Sequence, residues 1–222
     1  MIEARMTDLN YNEILIYLGH RGQEITPEIE TQIQRCIAEI RRHAAPRLVY
    51  RFLPVDKGSI TGFPLEGNDI RQLLQDCDEA VLFAVTLGSD IEQALMRHEV
   101  TDMADALILD ACASVAVENV CDCFEEDVRV QLSRENRYLT SRFSPGYGDL
   151  PLETQTGMCG ILNTHRRIGL TVTENYILVP RKSVTTVMGI SDKPQKLRKR
   201  GCEDCNMFLN CLYRKKGIVC HE

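Results

Sequence analysis

The segment SRFSPGYGDLP, residues 141–151, combines a permanent positive charge with a turn that leaves the backbone accessible. Arg142 carries a planar guanidinium whose geometry matches a carboxylate. The PGYG sequence at residues 145–148 is a turn signal, and its glycines let a small molecule approach the main chain closely. With the ring and hydroxyl of Tyr147, these groups suit a small zwitterion that carries an aromatic ring. Taken alone, the motif is more typical of an ordinary loop with a surface arginine.

A second candidate for ligand binding is Glu118, which lies in the small and apolar stretch ASVAVENVCDCF. A carboxylate is costly to bury without a partner, and a buried Glu118 would suit the ammonium group of a ligand. The alternative is that Glu118 lies on the solvated face of a helix, with Asp122 one turn later. Without other information, the pattern favours the solvated face.

Four cysteines near the end of the printed chain have the spacing of a metal site, C-x2-C-x5-C-x8-C. Two thiolates on one tight turn with two more nearby suit a structural zinc ion or an iron–sulfur cluster, and the spacing does not choose between them. Free thiols in a tail are the simpler alternative. The predicted metal ligands are Cys202, Cys205, Cys211 and Cys220.

The elements that position these residues mix helices and strands without strict βαβ alternation, which predicts an α+β fold. A helix over EITPEIETQIQRCIAEIRRHA has Thr26 as its N-cap and proline as its first residue. The stretches RLVYRFLPV, EAVLFAVTLG and SVTTVMGIS predict strands, and ETQTGMCGILNTHRR predicts a helix. Ser89 and Glu92 predict a capping box. We expect a mixed, largely antiparallel sheet with flanking helices.

One long helix is predicted from Thr101 to about Leu132, and its small side chains indicate a central position. The other six cysteines are interpreted as small core residues: Cys36, Cys77, Cys112, Cys121, Cys123 and Cys159. The apolar face of the long helix is expected to include Met103, Leu107, Ala113, Val117, Val120 and Phe124.

The composition changes after Ser191. Residues 192–222 hold eight Lys and Arg against four acidic residues. We therefore predict a main domain over residues 1–191 and a basic, Cys-rich C-terminal segment over residues 192–222.

Overall composition limits the function classes. The chain has 222 residues, of which 44% are hydrophobic and 26% charged, as in ordinary globular proteins. A net charge of −6 argues against general nucleic-acid binding. The first residues show no apolar run of a signal peptide, and AVLFAV is far too short to span a membrane. Ten cysteines without a secretion signal indicate a reducing compartment, so we expect a cytoplasmic protein without membrane partners.

Several segments, in order, resemble the activation domain of vitamin B12-dependent methionine synthase. RFSPGYGDLP is similar to that family's Arg-x-x-x-Gly-Tyr signature, and TVTENYILVPRKSV to its Thr-Glu-Ser, aromatic, Pro, Ser-Val segment. FAVTLGSDIE and VAVENVCDCFEEDVR fall in the right order at similar intervals, and YLGHRGQEI is typical of free-standing relatives. The resemblance covers roughly residues 10–190.

The resemblance implies that the chain binds S-adenosylmethionine and uses it to methylate a cobalamin in the inactive Co(II) state. An electron would arrive from a donor such as flavodoxin or ferredoxin. Methyl transfer from a sulfonium is strongly downhill and traps Co(I) as it forms, so the protein mainly positions the methyl group over cobalt. The chain would be the activation component of a methyltransferase system. This reductive role favours a [4Fe-4S] cluster over zinc at the C-terminal cysteines.

The resemblance also implies roles for individual residues. Arg142 matches the arginine that holds the ligand carboxylate, and Glu118 matches a carboxylate near the ligand amine. Asn10 is the nearest position to an aspartate at the start of the family's domain, and it lacks the charge. The remaining matches are Tyr147 of the signature, and Ser144 and Gly146, whose backbone would lie near the ligand.

Met188 and Gly189 stand where the family usually has an aromatic pair that contacts the ligand. A lost stacking contact costs about 0.5–1.5 kcal/mol. A second interpretation therefore stays open: a non-enzymatic docking or electron-transfer partner of a corrinoid protein that has lost S-adenosylmethionine binding. A third, a metal-stabilised basic tail that contacts nucleic acid, is disfavoured by the overall acidity.

The sequence context of the histidines indicates which protein carries the corrinoid. Cobalamin-binding modules often use Asp-x-His-x-x-Gly to supply the lower cobalt ligand, and none of the five histidines here follows an aspartate by two residues. We therefore expect the cobalamin on a partner, either a cobalamin-binding methionine synthase or another corrinoid protein.

Overall fold

The computed structural model of the chain describes residues 2–20 and 22–195. The four C-terminal cysteines predicted to bind a metal, and nearly all of the predicted segment 192–222, lie outside these ranges. Within them, no helix combines the length and the hydropathy needed to cross a bilayer.

A five-stranded antiparallel sheet lies at the centre of the fold. In chain order its strands are β1 (Arg47–Asp56), β2 (Ser59–Ile60), β3 (Glu79–Thr86), β4 (Tyr138–Leu139) and β7 (Ser183–Ser191), and a separate hairpin joins β5 (Thr171–Val172) to β6 (Leu178–Val179). The order across the sheet is β2-β1-β3-β7-β4. Every pairing among the described strands is antiparallel, which confirms the predicted α+β class with its largely antiparallel sheet.

Seven helices surround the sheet in the described part of the chain. They are α1 (Tyr11–Tyr17), α2 (Pro27–His43), α3 (Asn68–Leu74), α4 (Ser89–Thr101), α5 (Met103–Ser133), α6 (Thr154–Leu162) and α7 (Thr164–Ile168). Helices α1, α2, α4 and α5 build a first core on one face of the sheet. Helices α3, α6 and α7 build a second core on the opposite face.

The long helix α5 is central, as predicted, because small buried residues such as Ala113 and Ala116 allow close packing. Phe124 brings it onto the sheet, with its ring centroid 4.6 Å from that of Phe83. The predicted apolar face is wrong in the first turns, where Met103 and Leu107 are 68% and 63% exposed. The buried residues there are instead Asp105, Ala106, Ile108 and Leu109.

Helix ends agree only partly with the sequence-based prediction. Thr26 caps α2 as predicted, accepting from the Ile29 amide at 3.5 Å. The predicted capping box is wrong: Gly88 is the N-cap of α4, Ser89 is its first residue, and Glu92 binds Arg181 instead. The helix predicted over residues 153–167 is divided into α6 and α7 at Asn163, whose φ of 52° ends the first helix.

Candidate functional site

The backbone around Arg142 is fixed by a bridge to the central sheet. Phe143 exchanges two backbone hydrogen bonds of 2.9 Å with Val187 of β7. The Phe143 ring packs in the second core. Because successive side chains of an extended segment point to opposite faces, the Arg142 side chain lies on the α5 side.

Three carboxylates of α5 surround the guanidinium of Arg142. Its Nη2 lies 2.5 Å from Asp122 Oδ1 and 3.4 Å from Glu118 Oε2, and its Nε lies 3.2 Å from Glu125 Oε2. The spacing of four and three residues places these acids on one face of the helix. The Arg142 side chain is 13% exposed, whereas Glu118 and Asp122 are 34% and 47% exposed, so a largely buried guanidinium is held by carboxylates that reach solvent.

One donor of Arg142 is left over. Nη1 is buried and has no hydrogen-bond partner among the described residues. Burial lowers the pKa of the guanidinium, but the neighbouring Cys121 and the three carboxylates raise it, and the net shift is upward. The arginine is therefore a fixed cation, and an unsatisfied buried donor costs free energy until it finds an acceptor.

Arg129 completes the cluster one turn later on α5. Its guanidinium donates to Glu125 Oε1 at 2.6 Å and to the Leu139 carbonyl at 3.1 Å. The helix, β4 and the segment leading to Arg142 are thereby joined. Two arginines face three carboxylates, so the cluster carries a formal excess of one negative charge.

The turn after Arg142 presents Tyr147 to solvent. The Gly146 amide donates to the Leu150 carbonyl at 2.9 Å, and the Leu150 amide donates to Tyr147 at 3.1 Å. Gly146 has a φ of 86°, which favours glycine. The Tyr147 ring is 67% exposed, so it remains available to cover a bound molecule.

Asp149 anchors this turn to α3. Its carboxylate accepts from the amides of Asn68 at 2.6 Å and Asp69 at 3.1 Å, the first residues of that helix. Gly67, the N-cap of α3, supplies no side chain, so Asp149 acts as the cap from a distant part of the chain. Gly148 has a φ of 53°, and an added Cβ would overlap the Asp69 carboxylate, so the turn favours glycine there.

Three further residues named in the sequence analysis have structural roles. Asn10 is exposed and caps α1, accepting from the amides of Asn12 and Glu13. Met188 is fully buried in the first core. Gly189 is buried beside the second core, where an added Cβ would overlap Cys77 Sγ and Leu74.

Sequence reasoning found Arg142 and Glu118 but assigned no binding role to their neighbours. Asp122, Glu125 and Arg129 complete the ion cluster in the structure. The spacing of these charged residues could have identified them, because in a helix it places them on the same face as Glu118. Among the described residues, no group of His, Cys, Asp and Glu has the arrangement of a metal site.

Comparisons with known proteins agree with this architecture. No curated protein sequence matches the chain. The crystal structure of the MetH reactivation domain bound to AdoHcy superposes with a TM-score of 0.65 at 17% identity, over 98% of this chain and 85% of that one. At this identity the likeness shows the fold alone. The profile of the "Vitamin B12 dependent methionine synthase, activation domain" family matches residues 71–197, more than half of the chain. The chain therefore belongs to that family.

Proposed function

We propose that the chain binds S-adenosylmethionine at the Arg142 cluster and supports reductive remethylation of a Co(II) corrinoid carried by a partner protein. The observation that carries the proposal is a buried arginine with one unpartnered donor, Nη1, beside a surplus of carboxylates. Family membership supplies the reaction, and the site supplies groups that match its methyl donor.

The charges of the cluster complement those of S-adenosylmethionine. The ligand carboxylate suits Arg142, whose Nη1 lacks an acceptor. The ligand ammonium suits Glu118, whose side chain is 34% exposed. Its contact with Arg142, at 3.4 Å, is the longest of the three carboxylate contacts. Because Nη1 is buried, the Arg142 side chain must move to reach the ligand, and this movement weakens its bonds to Asp122 and Glu125.

The chain's own residues bind and orient, while the ligand brings the chemistry. S-adenosylmethionine supplies an electrophilic methyl group on a sulfonium. The exposed ring of Tyr147 covers the ligand, and the adjoining glycine turn lets it lie close to the main chain. The main task of the chain is then to position the methyl group, because the sulfonium already supplies the driving force of the transfer.

The remaining parts of the system lie on other molecules or outside the described residues. We propose a cobalamin-binding methionine synthase or another corrinoid protein as partner, with flavodoxin or ferredoxin as electron donor. Cys202, Cys205, Cys211 and Cys220 are proposed to hold zinc or a [4Fe-4S] cluster, of which the cluster suits a reductive role.

The functional test is a reconstitution. The chain is mixed anaerobically with S-adenosylmethionine, a strong reductant and a Co(II)-loaded methionine synthase that lacks its own activation domain. We expect the absorption spectrum of methylcobalamin to appear only when the chain and S-adenosylmethionine are both present. Absence of methylcobalamin, or stoichiometric cobalamin binding by the chain alone, contradicts the proposal.

A docking or electron-transfer partner without S-adenosylmethionine binding is the second candidate. It is favoured by the residues at the position of the family's aromatic pair. Met188 and Gly189 carry no aromatic ring, and both are buried. Calorimetry separates the two candidates, because only the first predicts a binding heat with S-adenosylmethionine.

A further inference from the structure

Five exposed basic side chains, which we name the basic edge, lie away from the Arg142 cluster. Arg47 and Arg51 flank the buried Val49 on β1, so they share the face on which Val49 packs. Ile168 of α7 packs in that same core. The other members, on α7, are His165, Arg166 and Arg167.

The two elements of the basic edge are in direct contact. Arg47 extends along the end of α7, with its Nη1 3.5 Å from the position that a Cβ on Gly169 would occupy. Thr164 and Ile168 are the buried residues of α7, and the three between them are exposed. The basic side chains of α7 therefore lie at the surface beside β1.

The positive charge of the basic edge is not compensated locally. The stretches 40–55 and 154–173 contain no Asp or Glu, in a chain whose net charge is −6. Within residues 2–20 and 22–195, none of the five side chains forms an ion pair with a carboxylate. Elsewhere, arginines such as Arg142 and Arg137 have carboxylate partners.

The backbone of β1 is open on the same edge of the sheet. Residues 47–54 pair with β3 on one side. On the other side β2 pairs only with Val55 and Asp56. Among the described residues, no backbone hydrogen bond outside the β3 pairing reaches residues 47–53. An open edge of this length is a template for another strand.

We propose that the basic edge binds an extended, acidic segment of a partner protein, which adds to β1 as a further strand. Main-chain hydrogen bonds provide affinity, and alternate carboxylates face Arg47 and Arg51, which are about 13 Å apart along the strand. This inference goes beyond the proposed reaction, because β1 lies near the opposite edge of the sheet from β4 and Arg142.

Other occupants fit the basic edge less well. Antiparallel pairing of two β1 strands from two copies would bring arginines together, and like charges across strands are destabilising. Nucleic acid cannot use the free N–H and C=O groups of a strand edge in register, and its phosphates meet an acidic protein. An acidic polypeptide uses both the backbone and the charge.

The test measures binding of a fluorescent peptide, in which glutamate alternates with valine over the length of β1, to the full chain by anisotropy. We expect saturable binding that weakens with salt. Arg166→Glu/Arg167→Glu should weaken it by about tenfold or more. The matched reversal Arg97→Glu/Arg134→Glu changes two exposed arginines that form no ion pair elsewhere in the described chain, and should alter binding by less than about twofold.

A second arm separates strand addition from charge attraction. The same peptide N-methylated at alternate residues keeps its charge but loses the donors that a strand needs, so its binding should be lost. Equal binding of the methylated peptide, equal effects of the two double variants, no saturable binding, or tighter binding of single-stranded DNA than of the peptide would each overturn the proposal. S-adenosylmethionine is absent from this assay, so its result is independent of the proposed function.

Discussion

At the scale of single residues, Arg142 concentrates the chemistry of the site. It is charged at every physiological pH, and it is held by three carboxylates of one helix. In the proposed site, a ligand carboxylate competes with Glu118, Asp122 and Glu125 for the guanidinium, and it reaches Nη1 only after the side chain moves.

Replacing Arg142 with alanine should abolish most of the affinity for S-adenosylmethionine. Loss of a charge-assisted hydrogen bond costs about 1.5–3 kcal/mol, which is roughly a tenfold to 150-fold rise in Kd. Isothermal titration calorimetry measures it, with Arg134→Ala as the control because Arg134 is exposed and forms no ion pair among the described residues. Unchanged affinity of the Arg142 variant would show that the ligand binds elsewhere.

At the scale of elements, the site depends on side-chain contacts that hold one element against another. Asp149 links the glycine turn to α3, and Arg129 links α5 to β4. The Asp149 contact could not be read from a local pattern, because Asn68 lies 81 residues away in sequence.

Asp149→Ala should destabilise the protein by about 0.5–2 kcal/mol, because the first amides of α3 lose their acceptor. Urea unfolding followed by circular dichroism measures the change in free energy. Glu153→Ala is the matched control, since Glu153 precedes α6 and makes no side-chain cap. Asp149→Asn retains an acceptor and should recover much of the stability. If Asp149→Ala and Glu153→Ala change the free energy of unfolding equally, the contact between Asp149 and α3 contributes nothing to stability.

The sequence predicted the elements whose pattern is local and missed those set by packing. The long helix and the strands β1, β3 and β7 carry extended apolar patterns, and each is present. Helix α3 was not predicted because its cap comes from Asp149. The capping box at Ser89 failed because Glu92 pairs with Arg181, a contact between distant segments.

Two charged residues of the candidate site were predicted from the sequence, but the contacts that hold them were not. Arg142 and Glu118 were identified from type and family resemblance, and the structure brings them within 3.4 Å. Met188 and Gly189 stand where the family usually has an aromatic pair that contacts the ligand, and in the structure both are buried. Residue type alone could not show which face of β7 they occupy, because that depends on sheet register.

At the scale of the whole molecule, the cysteines among the described residues share a shielded environment. Cys36, Cys77, Cys112, Cys121 and Cys123 are buried in the described domain, as predicted, and Cys159 is partly buried. Burial raises the pKa of Cys36 and of Cys112 to about 12 and that of Cys77 to about 11. Since the thiolate is the reactive form, these side chains should be inert towards thiol reagents in the folded protein.

The expected inertness of these buried thiols makes thiol titration a test of the proposed C-terminal metal site. In anaerobically purified protein with its metal bound, we expect almost no fast-reacting thiol near pH 8. A strong chelator, or oxidation for an iron–sulfur cluster, should release the metal, after which Cys202, Cys205, Cys211 and Cys220 should become reactive once reduced. Iron with sulfide identifies a cluster, and one zinc in colourless protein identifies a structural site. The variant Cys202→Ser/Cys205→Ser should lose the metal, whereas Cys36→Ala should retain it. Four fast thiols in untreated, metal-free protein would show that the C-terminal cysteines hold no metal.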